Sequence, residues 1–312
     1  MRWGESLGLH EGNRMTAKRT VGALFACVAI GCGGPAAEAP GQHGLALSST
    51  PANKIYFVDA NLKRGSFGEE DTNALNFLDF IAQRGQPYIP DLLTLQEMKN
   101  APGSPSHHSC AEHAEKLQAY LLRETGLTVA YRTADTDTAI GGACVLWRAD
   151  RFTKESQSPN VANFNNPPRC DGGSDAYSFA VRLVDRLSGS QRISVASVHL
   201  PVHSEGCVGA DLRALRDQMT GPLQILAGDF NATIHAGGWD DDLKRIGWVD
   251  AHPEDGSGED WTFGDGRSRI DYTWVKGHER IPLKRIVSHA QAHGVSGKDY
   301  SDHRGMAMLI EY

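Results

Sequence analysis

The sequence predicts an α/β protein in which two mixed β-sheets pack on each other and helices lie outside them. Strand-like segments outnumber helix-like segments over residues 54–312. Many of these strands are apolar throughout, which is typical of strands that are covered on both faces. We identify no interdomain linker inside 54–312, so we predict that this part of the chain is one domain.

Eight segments are predicted to be strands because they combine apolar or alternating patterns with β-branched and aromatic residues. In chain order they are KIYFVDANL, DLLTLQE, GACVLWR, AYSFAVRLV, RISVASVHL, ILAGDFN, SRIDYTWV and GMAMLIEY. The fourth and fifth segments flank RLSGSQ, so we predict that they form a hairpin.

Three segments are predicted to be helices. The first is Asp71–Gln83, which has apolar residues at helical spacing. The second begins at Ser109, which forms an S-x-x-E capping box with Glu112, and stops at Gly126. A shorter helix is predicted around Asp211–Met219.

Residues 1–32 are predicted to be an export signal. Basic residues precede the apolar run Val21–Ile30, which is too short to span a bilayer as a mature helix, and small residues follow it. The end of this segment, AIGC, resembles a bacterial lipobox in which Cys32 is lipidated, although Ala29 stands where Leu is usual. We therefore expect a bacterial cell-envelope lipoprotein anchored through acylated Cys32, or a secreted protein; an internal apolar stretch is the remaining alternative.

Residues 33–53 are rich in Gly, Ala, Pro and Ser and are predicted to be a flexible tether. The formal net charge is −7, which excludes a broadly basic nucleic-acid-binding surface. A polyanionic substrate then needs local positive groups or metal ions. No obligate protein partner is evident.

Four cysteines remain after the signal, an even number that fits an oxidising compartment. Cys170 and Cys207 lie symmetrically about the predicted hairpin turn, so antiparallel pairing places them opposite each other and predicts a disulfide. Cys110–Cys144 is the remaining pair, with a buried free thiol at Cys144 as the alternative.

Polar residues end several apolar strands; a further one lies inside an apolar strand, and two more lie in YSDHRG. They are Asn61, Glu97, His199, Asp229, Asn231, Asp271, Asp302 and His303. Each has a structural explanation when taken alone: a turn residue, a solvated acid, a core histidine, or, for Asp271, a carboxylate paired with Arg269. Together, carboxylates, amides and imidazoles suit a hard divalent cation and a phosphate group. Mg²⁺ is the expected ion and Mn²⁺ is possible, whereas zinc favours more His or Cys.

Six motifs carry a family resemblance: NLKRG, LLTLQE, SVHLP, LAGDFN, SRIDY and YSDHRG. Their order and spacing resemble those of the endonuclease/exonuclease/phosphatase superfamily, the deoxyribonuclease I-like fold, and they cover essentially all of 54–312. The resemblance implies a four-layer α/β sandwich and metal-dependent hydrolysis of a phosphate ester.

The resemblance implies a role for each metal-site residue. Glu97 is the main metal ligand, with Asn61 beside it, and Asp302 completes a metal site. Asp229 aligns the attacking water or deprotonates it, and the resemblance leaves open which of the two it does.

The resemblance also implies phosphate contacts. Asn231 meets a phosphoryl oxygen in the transition state, and His303, held by Asp271, meets the scissile phosphate. His199 is a second phosphate contact or an acid. In deoxyribonuclease I a glutamate pairs with the counterpart of His199, whereas this sequence has Gly141 near that place.

The leading hypothesis is an exported Mg²⁺-dependent phosphodiesterase that cuts DNA or RNA with little sequence preference. Arg64, Arg267 and Arg269 adjoin motif residues and are expected to supply local positive charge, with Arg269 as a phosphate contact. One alternative is a phosphomonoesterase or a sphingomyelinase-like phospholipid phosphodiesterase. A second is a non-catalytic surface-binding lipoprotein.

Overall fold

Twelve strands and three helices make up the part of the chain that the structure describes. The structure is a computed structural model, and it describes residues 48–62, 88–98, 109–135, 142–158, 178–200, 205–234, 238–252, 261–263, 268–286 and 301–312. The strands are β1 Lys54–Asn61, β2 Leu92–Met98, β3 Tyr131–Asp135, β4 Gly142–Arg148, β5 Phe152–Gln157, β6 Phe179–Asp185, β7 Gln191–His199, β8 Leu223–Asp229, β9 Val249–Asp250, β10 Asp271–Lys276, β11 Arg280–Ile286 and β12 Met306–Glu311. The helices are α1 Cys110–Thr125, α2 Glu205–Arg216 and α3 Trp239–Arg245.

The strands form two sheets, as the sequence predicted, and each sheet has six strands. The first sheet has the order β11-β12-β1-β2-β4-β3, and the second has the order β5-β6-β7-β8-β10-β9. Both sheets are mixed. In the first sheet β1 pairs with β2 in parallel, in the second sheet β7 pairs with β8 in parallel, and the other neighbours of these four strands are antiparallel. All eight predicted strands are present, and β6 and β7 form the predicted hairpin.

The central core lies between the two sheets. In β1, Ile55 and Phe57 pack in this core, while Tyr56 and Val58 pack in a separate cluster on the other face of the first sheet. The second sheet contributes residues such as Ile225 to the same central core. Successive side chains of a strand point to opposite faces, so strands covered on both faces need apolar residues at nearly every position.

Helices cover the outer faces. Leu117 and Leu121 of α1 join the outer cluster of the first sheet. Leu212 of α2 and Trp239 of α3 join the outer cluster of the second sheet. The order helix, sheet, sheet, helix confirms the predicted four-layer sandwich. Each fully buried side chain of this size contributes about 1.5–3 kcal/mol through the hydrophobic effect.

Capping residues set the limits of α1 as predicted. The side chain of Ser109 accepts a hydrogen bond from the Glu112 backbone N–H, the Glu112 carboxylate accepts one from the Ser109 N–H, and Gly126 ends the helix in the left-handed conformation. Helix α2 begins at Glu205, earlier than the predicted start around Asp211. The prediction missed the first turns because Gly206 and Gly209 have low helix propensity.

A buried ion network closes the end of the sandwich opposite the ends of β1 and β7. It comprises Asp91, Arg148, Arg151 and Asp185, joined by Thr50; we call it the basal network. Arg151 donates to Asp185 at 2.6 and 2.9 Å, and Arg148 donates to Asp91 at 3.1 Å. Arg151 also donates to the Thr50 hydroxyl, which donates in turn to Asp91.

Residues 48–53, which we expected to belong to the tether, therefore pack onto the folded body through the basal network and through the hydrogen bond from the Tyr312 N–H to the Asn53 carbonyl. The described residues all belong to one compact unit, Gly44–Tyr312. Residues 1–47, with the predicted signal and Cys32, lie outside the described residues. No helix in the described part of the chain is long and apolar enough to cross a membrane.

Cys110 at the start of α1 forms a disulfide with Cys144 on β4, with a Cα–Cα distance of 5.9 Å. This is the pair expected by elimination, and Cys144 is not a free thiol. The predicted Cys170–Cys207 disulfide involves side chains outside the described residues, and so does the predicted helix Asp71–Gln83.

Candidate active site

Five strand termini bring polar side chains to one end of the sandwich. Asn61 ends β1, Glu97 lies at the end of β2, and His199 ends β7. Asp229 ends β8 and pairs in register with His199 on one side and with Asp271, the first residue of β10, on the other. Residues far apart in the sequence and predicted from separate motifs are therefore neighbours.

The amide of Asn61 joins the two sheets at this end. Its Nδ2 donates to Glu97 Oε1 at 3.2 Å and to Asp229 Oδ2 at 3.0 Å. Glu97, His199 and Asp229 each offer a ligand atom within 4.8 Å of the other two. Two carboxylates, an amide and an imidazole fit Mg²⁺ or Mn²⁺ better than a thiolate-binding metal. The carboxylates of Glu97 and Asp229 converge on a hydrogen-bond donor, the Asn61 amide, and a bound cation would satisfy the same oxygens.

The imidazole of His303 lies between two buried carboxylates. Its Nδ1 is 2.9 Å from Asp271 Oδ2, and its Nε2 is 3.8 Å from Asp229 Oδ2. A hydroxyl fixes Asp271 from behind, because Thr262 Oγ1 accepts the Asp271 N–H at 3.0 Å. Asp271 therefore pairs with His303 and not with Arg269, which was its structural alternative.

The buried charges shift the proton affinities of this group. Burial and the neighbouring Asp271 carboxylate raise the pKa of Asp229 to about 6, against the lowering effects of His303, His199 and the Asn231 N–H. Burial lowers the pKa of His303, but the charge and hydrogen bond of Asp271, with the charges of Asp229 and Asp302, raise it to about 10. Near pH 7, His303 is an imidazolium ion and Asp229 is mostly ionised.

Two residues at this end of the sandwich, Glu97 and Asn231, have unusual backbone conformations. Glu97 has φ 57° at a bulge in β2, where the register with β4 shifts between Leu95 and Met98. Asn231 has φ 48°; its N–H donates to Asp229 Oδ1 at 2.8 Å and its Nδ2 to the Leu200 carbonyl at 2.7 Å. Positive φ in non-glycine residues often marks functional sites.

Gly228 is required by both conformation and space. Its φ is 140°, and a Cβ there would lie 2.0 Å from the Val198 carbonyl oxygen and 2.9 Å from Gln96 Nε2. The glycine of GDFN thus lets β8 approach β7 closely and places Asp229 beside His199.

This arrangement has the chemistry of phosphate-ester hydrolysis, and comparison with known families agrees. The model of the Endonuclease/Exonuclease/phosphatase family matches residues 60–303. The chain belongs to this family. Its members are metal-dependent phosphoric ester hydrolases, and the protein is an enzyme of this class. A comparison with curated proteins found no match.

Solved structures show the same fold at low sequence identity. An endonuclease/exonuclease/phosphatase protein from Bacteroides vulgatus has a TM-score of 0.60 and 14% identity, covering 83% of this chain and 98% of that one. The human Nocturnin catalytic domain with bound sulfate has a TM-score of 0.57 and 17% identity, covering 88% and 99%. D. rerio TDP2 complexed with single-strand DNA product has a TM-score of 0.57 and 12% identity, covering 83% and 99%.

Two predicted site residues, Arg269 and Asp302, are not among the residues whose ligand atoms converge. Arg269 is buried; it donates to Asp250 at 2.8 Å and lies over the ring of Tyr272. It thereby fixes the turn before β10, and its contact with a substrate phosphate stays a prediction. Asp302 is half-buried and raises the pKa of His303 through its charge. Among the described residues, the two groups of converging ligand atoms do not include Asp302, so its metal role also stays a prediction.

Sequence analysis missed the polar residues that support the site. Thr262 holds the backbone of Asp271, and Ser178 exchanges hydrogen bonds with the backbone of His199. Asp59 lies two residues before Asn61 on the same face of β1; burial raises its pKa to about 8, although Thr94 and Gln96 donate to it. This shift favours the neutral carboxyl of Asp59, which avoids a further negative charge near Asp229. Alternation along β1 was the available signal. Gly141, near the place of the deoxyribonuclease I glutamate, lies outside the described residues.

Proposed function

We propose that the protein is an exported Mg²⁺-dependent phosphodiesterase that cuts DNA or RNA without sequence specificity. The observation that carries this proposal is that two groups of ligand atoms converge and share Asp229. The first group is Glu97, His199 and Asp229, and the second is Asp229, Asp271 and His303. The first set suits a divalent cation, and the second places an imidazolium ion beside a carboxylate that retains some affinity for protons.

Glu97 and Asn61 would hold the metal ion, which when bound polarises a phosphoryl oxygen and neutralises its charge. Asp229 positions the attacking water. Its carboxylate, with a pKa of about 6, accepts the proton of that water more readily than an ordinary aspartate does. The water oxygen then bonds to phosphorus, and the bond from phosphorus to the leaving oxygen breaks.

His303 acts as a donor in this scheme. With a pKa of about 10 it is protonated near neutral pH, so it serves as a fixed positive charge next to the phosphate and not as the base. Asp271 sets its tautomer and orientation. Asn231 is placed beside Asp229 to meet another phosphoryl oxygen, and His199 contacts the phosphate or protonates the leaving oxygen.

A nucleic-acid substrate is supported by similarity and by chemistry. TDP2, which has this fold, was solved with single-strand DNA product. The site residues address a phosphate group, and phosphate contacts position nucleic acid without reading its sequence.

Export is the second part of the proposal. It is supported by the signal-like segment 1–32 and is consistent with the Cys110–Cys144 disulfide, since disulfides persist mainly in oxidising compartments. Detergent-phase partitioning of wild-type protein and Cys32→Ser, expressed with the full leader, tests the anchor. Partitioning of wild type but not of Cys32→Ser supports the lipoprotein, whereas aqueous wild-type protein in the culture medium supports plain secretion.

The decisive experiment is a substrate panel with Mg²⁺ and with excess chelator. The panel contains duplex DNA, RNA, sphingomyelin and a phosphomonoester. We expect cleavage of DNA or RNA that needs Mg²⁺ or Mn²⁺, and a strong loss of rate and of metal dependence in Glu97→Gln.

The matched control is Asp217→Asn, which makes the same chemical change at a carboxylate that is 67% exposed and paired with Arg216. Full activity in chelator contradicts the metal requirement. Turnover of sphingomyelin or the phosphomonoester with nucleic acid left intact moves the assignment to those substrates, and inactivity of the folded, metal-bound protein on the whole panel supports the non-catalytic alternative.

A further inference from the structure

A layer of polar side chains lies directly beneath the site, inside the central core. Along β1 the residues that face the second sheet are Ile55, Phe57, Asp59 and Asn61. On this face of β1 the side chains thus change from apolar to polar at Asp59, one position before the site residue Asn61. On the same face of β7, apolar Val195 is followed by polar Ser197 and then by the site residue His199.

Gln96 and Ser197 connect the two sheets in this layer. Gln96 Nε2 donates to Asp59 Oδ1 at 2.9 Å within the first sheet and to Ser197 Oγ at 3.2 Å across to the second. Ser197 Oγ donates back across the gap to the Leu95 carbonyl at 3.1 Å. Gln96, Ser197 and Asp59 are all buried, so these bonds are shielded from water.

These bonds meet at the bulge in β2. Leu95 is the last residue in register with β4 before the shift, and Gln96 and Glu97 form the bulge. Glu97 has φ 57°, an unfavourable conformation for a glutamate that persists only when its surroundings hold it. The Ser197 hydroxyl donates a hydrogen bond to the carbonyl of Leu95, the residue before the bulge. Asp59 and Ser197 accept hydrogen bonds from the side chain of Gln96, which lies in the bulge.

We propose that Gln96 and Ser197 are positioning residues that hold the bulge and thereby fix where Glu97 presents its carboxylate to the metal. They support the backbone that carries Glu97 and are not themselves proposed as ligands. This inference rests on the proposed metal site at Glu97. The inter-sheet hydrogen bonds then position the Glu97 carboxylate in addition to stabilising the fold.

The chain offers a matched pair of variants on β7. Ser197→Ala removes a buried hydroxyl that donates to Leu95 and accepts from Gln96. Ser194→Ala removes a buried hydroxyl on the same strand that donates to the Thr220 carbonyl and accepts the Thr220 N–H, away from the site. Both variants lose two hydrogen bonds, so a purely structural role predicts similar behaviour.

The test measures Mn²⁺ binding to the folded proteins by titration calorimetry, with thermal unfolding as a second measurement. We expect both variants to unfold at similarly reduced temperatures. Only Ser197→Ala should bind Mn²⁺ more weakly, by about 10-fold, as is usual when a residue that orients a metal ligand is removed. Its hydrolysis rate should recover when Mn²⁺ is raised.

Equal Mn²⁺ affinity of wild type, Ser197→Ala and Ser194→Ala overturns this inference and leaves the metal site intact. A wild-type protein that binds no Mn²⁺ overturns the metal site and the inference together. Gln96→Leu should weaken binding further; if it does not fold, Ser197→Ala, the smaller change, decides.

Discussion

The Asp271 carboxylate lies 2.9 Å from Nδ1 of His303, and both groups are buried. A carboxylate in this position stabilises the imidazolium ion and fixes its orientation toward Asp229. The pair is therefore one functional unit, and its two halves should not contribute independently.

We predict strongly non-additive effects in a double-mutant cycle of Asp271→Asn and His303→Ala. Each single change should lower kcat/KM by about 100-fold or more, because it removes the oriented positive charge at the phosphate. The double variant should be little worse than either single variant. Steady-state kinetics on one nucleic-acid substrate measures this, and additive losses would show that the two residues act separately.

We predict that His303 controls the protonation of Asp229. Its positive charge lowers the pKa of Asp229, so His303→Gln should raise that pKa above about 6 and shift the loss of activity at acid pH upward. Carboxyl chemical shifts of the metal-free protein and the pH profile of kcat/KM measure the two effects. His278→Gln, at the other end of β10, is the control and should change neither. An unshifted Asp229 titration in His303→Gln contradicts the coupling.

We predict that Asp229→Asn stabilises the protein while abolishing its activity. The folded-state pKa of Asp229 is about 6, above the ordinary value of 3.8, so the folded state binds this proton more tightly than the unfolded state. The tighter binding of this proton stabilises the folded state fully below pH 3.8, and this stabilisation is lost as pH rises through 6. At pH 7 the Asp229 carboxylate is therefore a buried charge that lowers the free energy of unfolding.

Removing that charge should raise the free energy of unfolding at pH 7 by about 1–3 kcal/mol, since one pKa unit corresponds to about 1.4 kcal/mol. The gain should vanish near pH 4. Thermal unfolding at both pH values measures it. Asp185→Asn, in the basal network, should instead destabilise the protein because it weakens the partner of Arg151. A lower melting temperature for Asp229→Asn at pH 7 would contradict this account.

We predict that Arg151→Met costs about 3–5 kcal/mol of stability. The guanidinium is fully buried between Asp91 and Asp185, and its loss removes the ion-pair partner of Asp185 and leaves Asp91 with Arg148 alone. Urea unfolding measures the change. Arg216→Met should cost less than about 1 kcal/mol, because its partner Asp217 is exposed. Similar losses for both variants would refute the special role of the basal network.

We retain the prediction of a Cys170–Cys207 disulfide beside the observed Cys110–Cys144 bond. A loop of this length should stabilise the fold by about 3–4 kcal/mol in the chain-entropy model. Peptide mapping without reduction should recover both pairs. Free Cys170, or Cys170 linked elsewhere, would show that the predicted pairing is wrong.

The sequence predicted the central strands well and the edge strands poorly. β1, β8 and β12 are covered on both faces, so their apolar runs are unambiguous. β5 and β11 lie at sheet edges with many exposed residues, and their charged sequences carry no such run. When a strand is exposed to solvent, its exposed positions accept polar residues, so the apolar run by which a buried strand is recognised in a sequence is absent.

The site was predictable in outline because polar residues at the ends of apolar strands are conspicuous. Its supporting contacts were not. The partner of Arg269 is Asp250, on another strand, and no local pattern indicates that pairing. Gln96 and Ser197 are polar residues inside apolar strands, and only their contact across the sheets reveals what they do.

The division of the site between the two sheets has a consequence for folding. Asn61 and Glu97 come from the first sheet, and His199, Asp229 and Asp271 come from the second. His303 lies just ahead of β12, which pairs with β1 in the first sheet. A chain in which β12 has not yet paired with β1 therefore has no assembled site. The hydrolase therefore stays inactive until strands that are far apart in the sequence have paired.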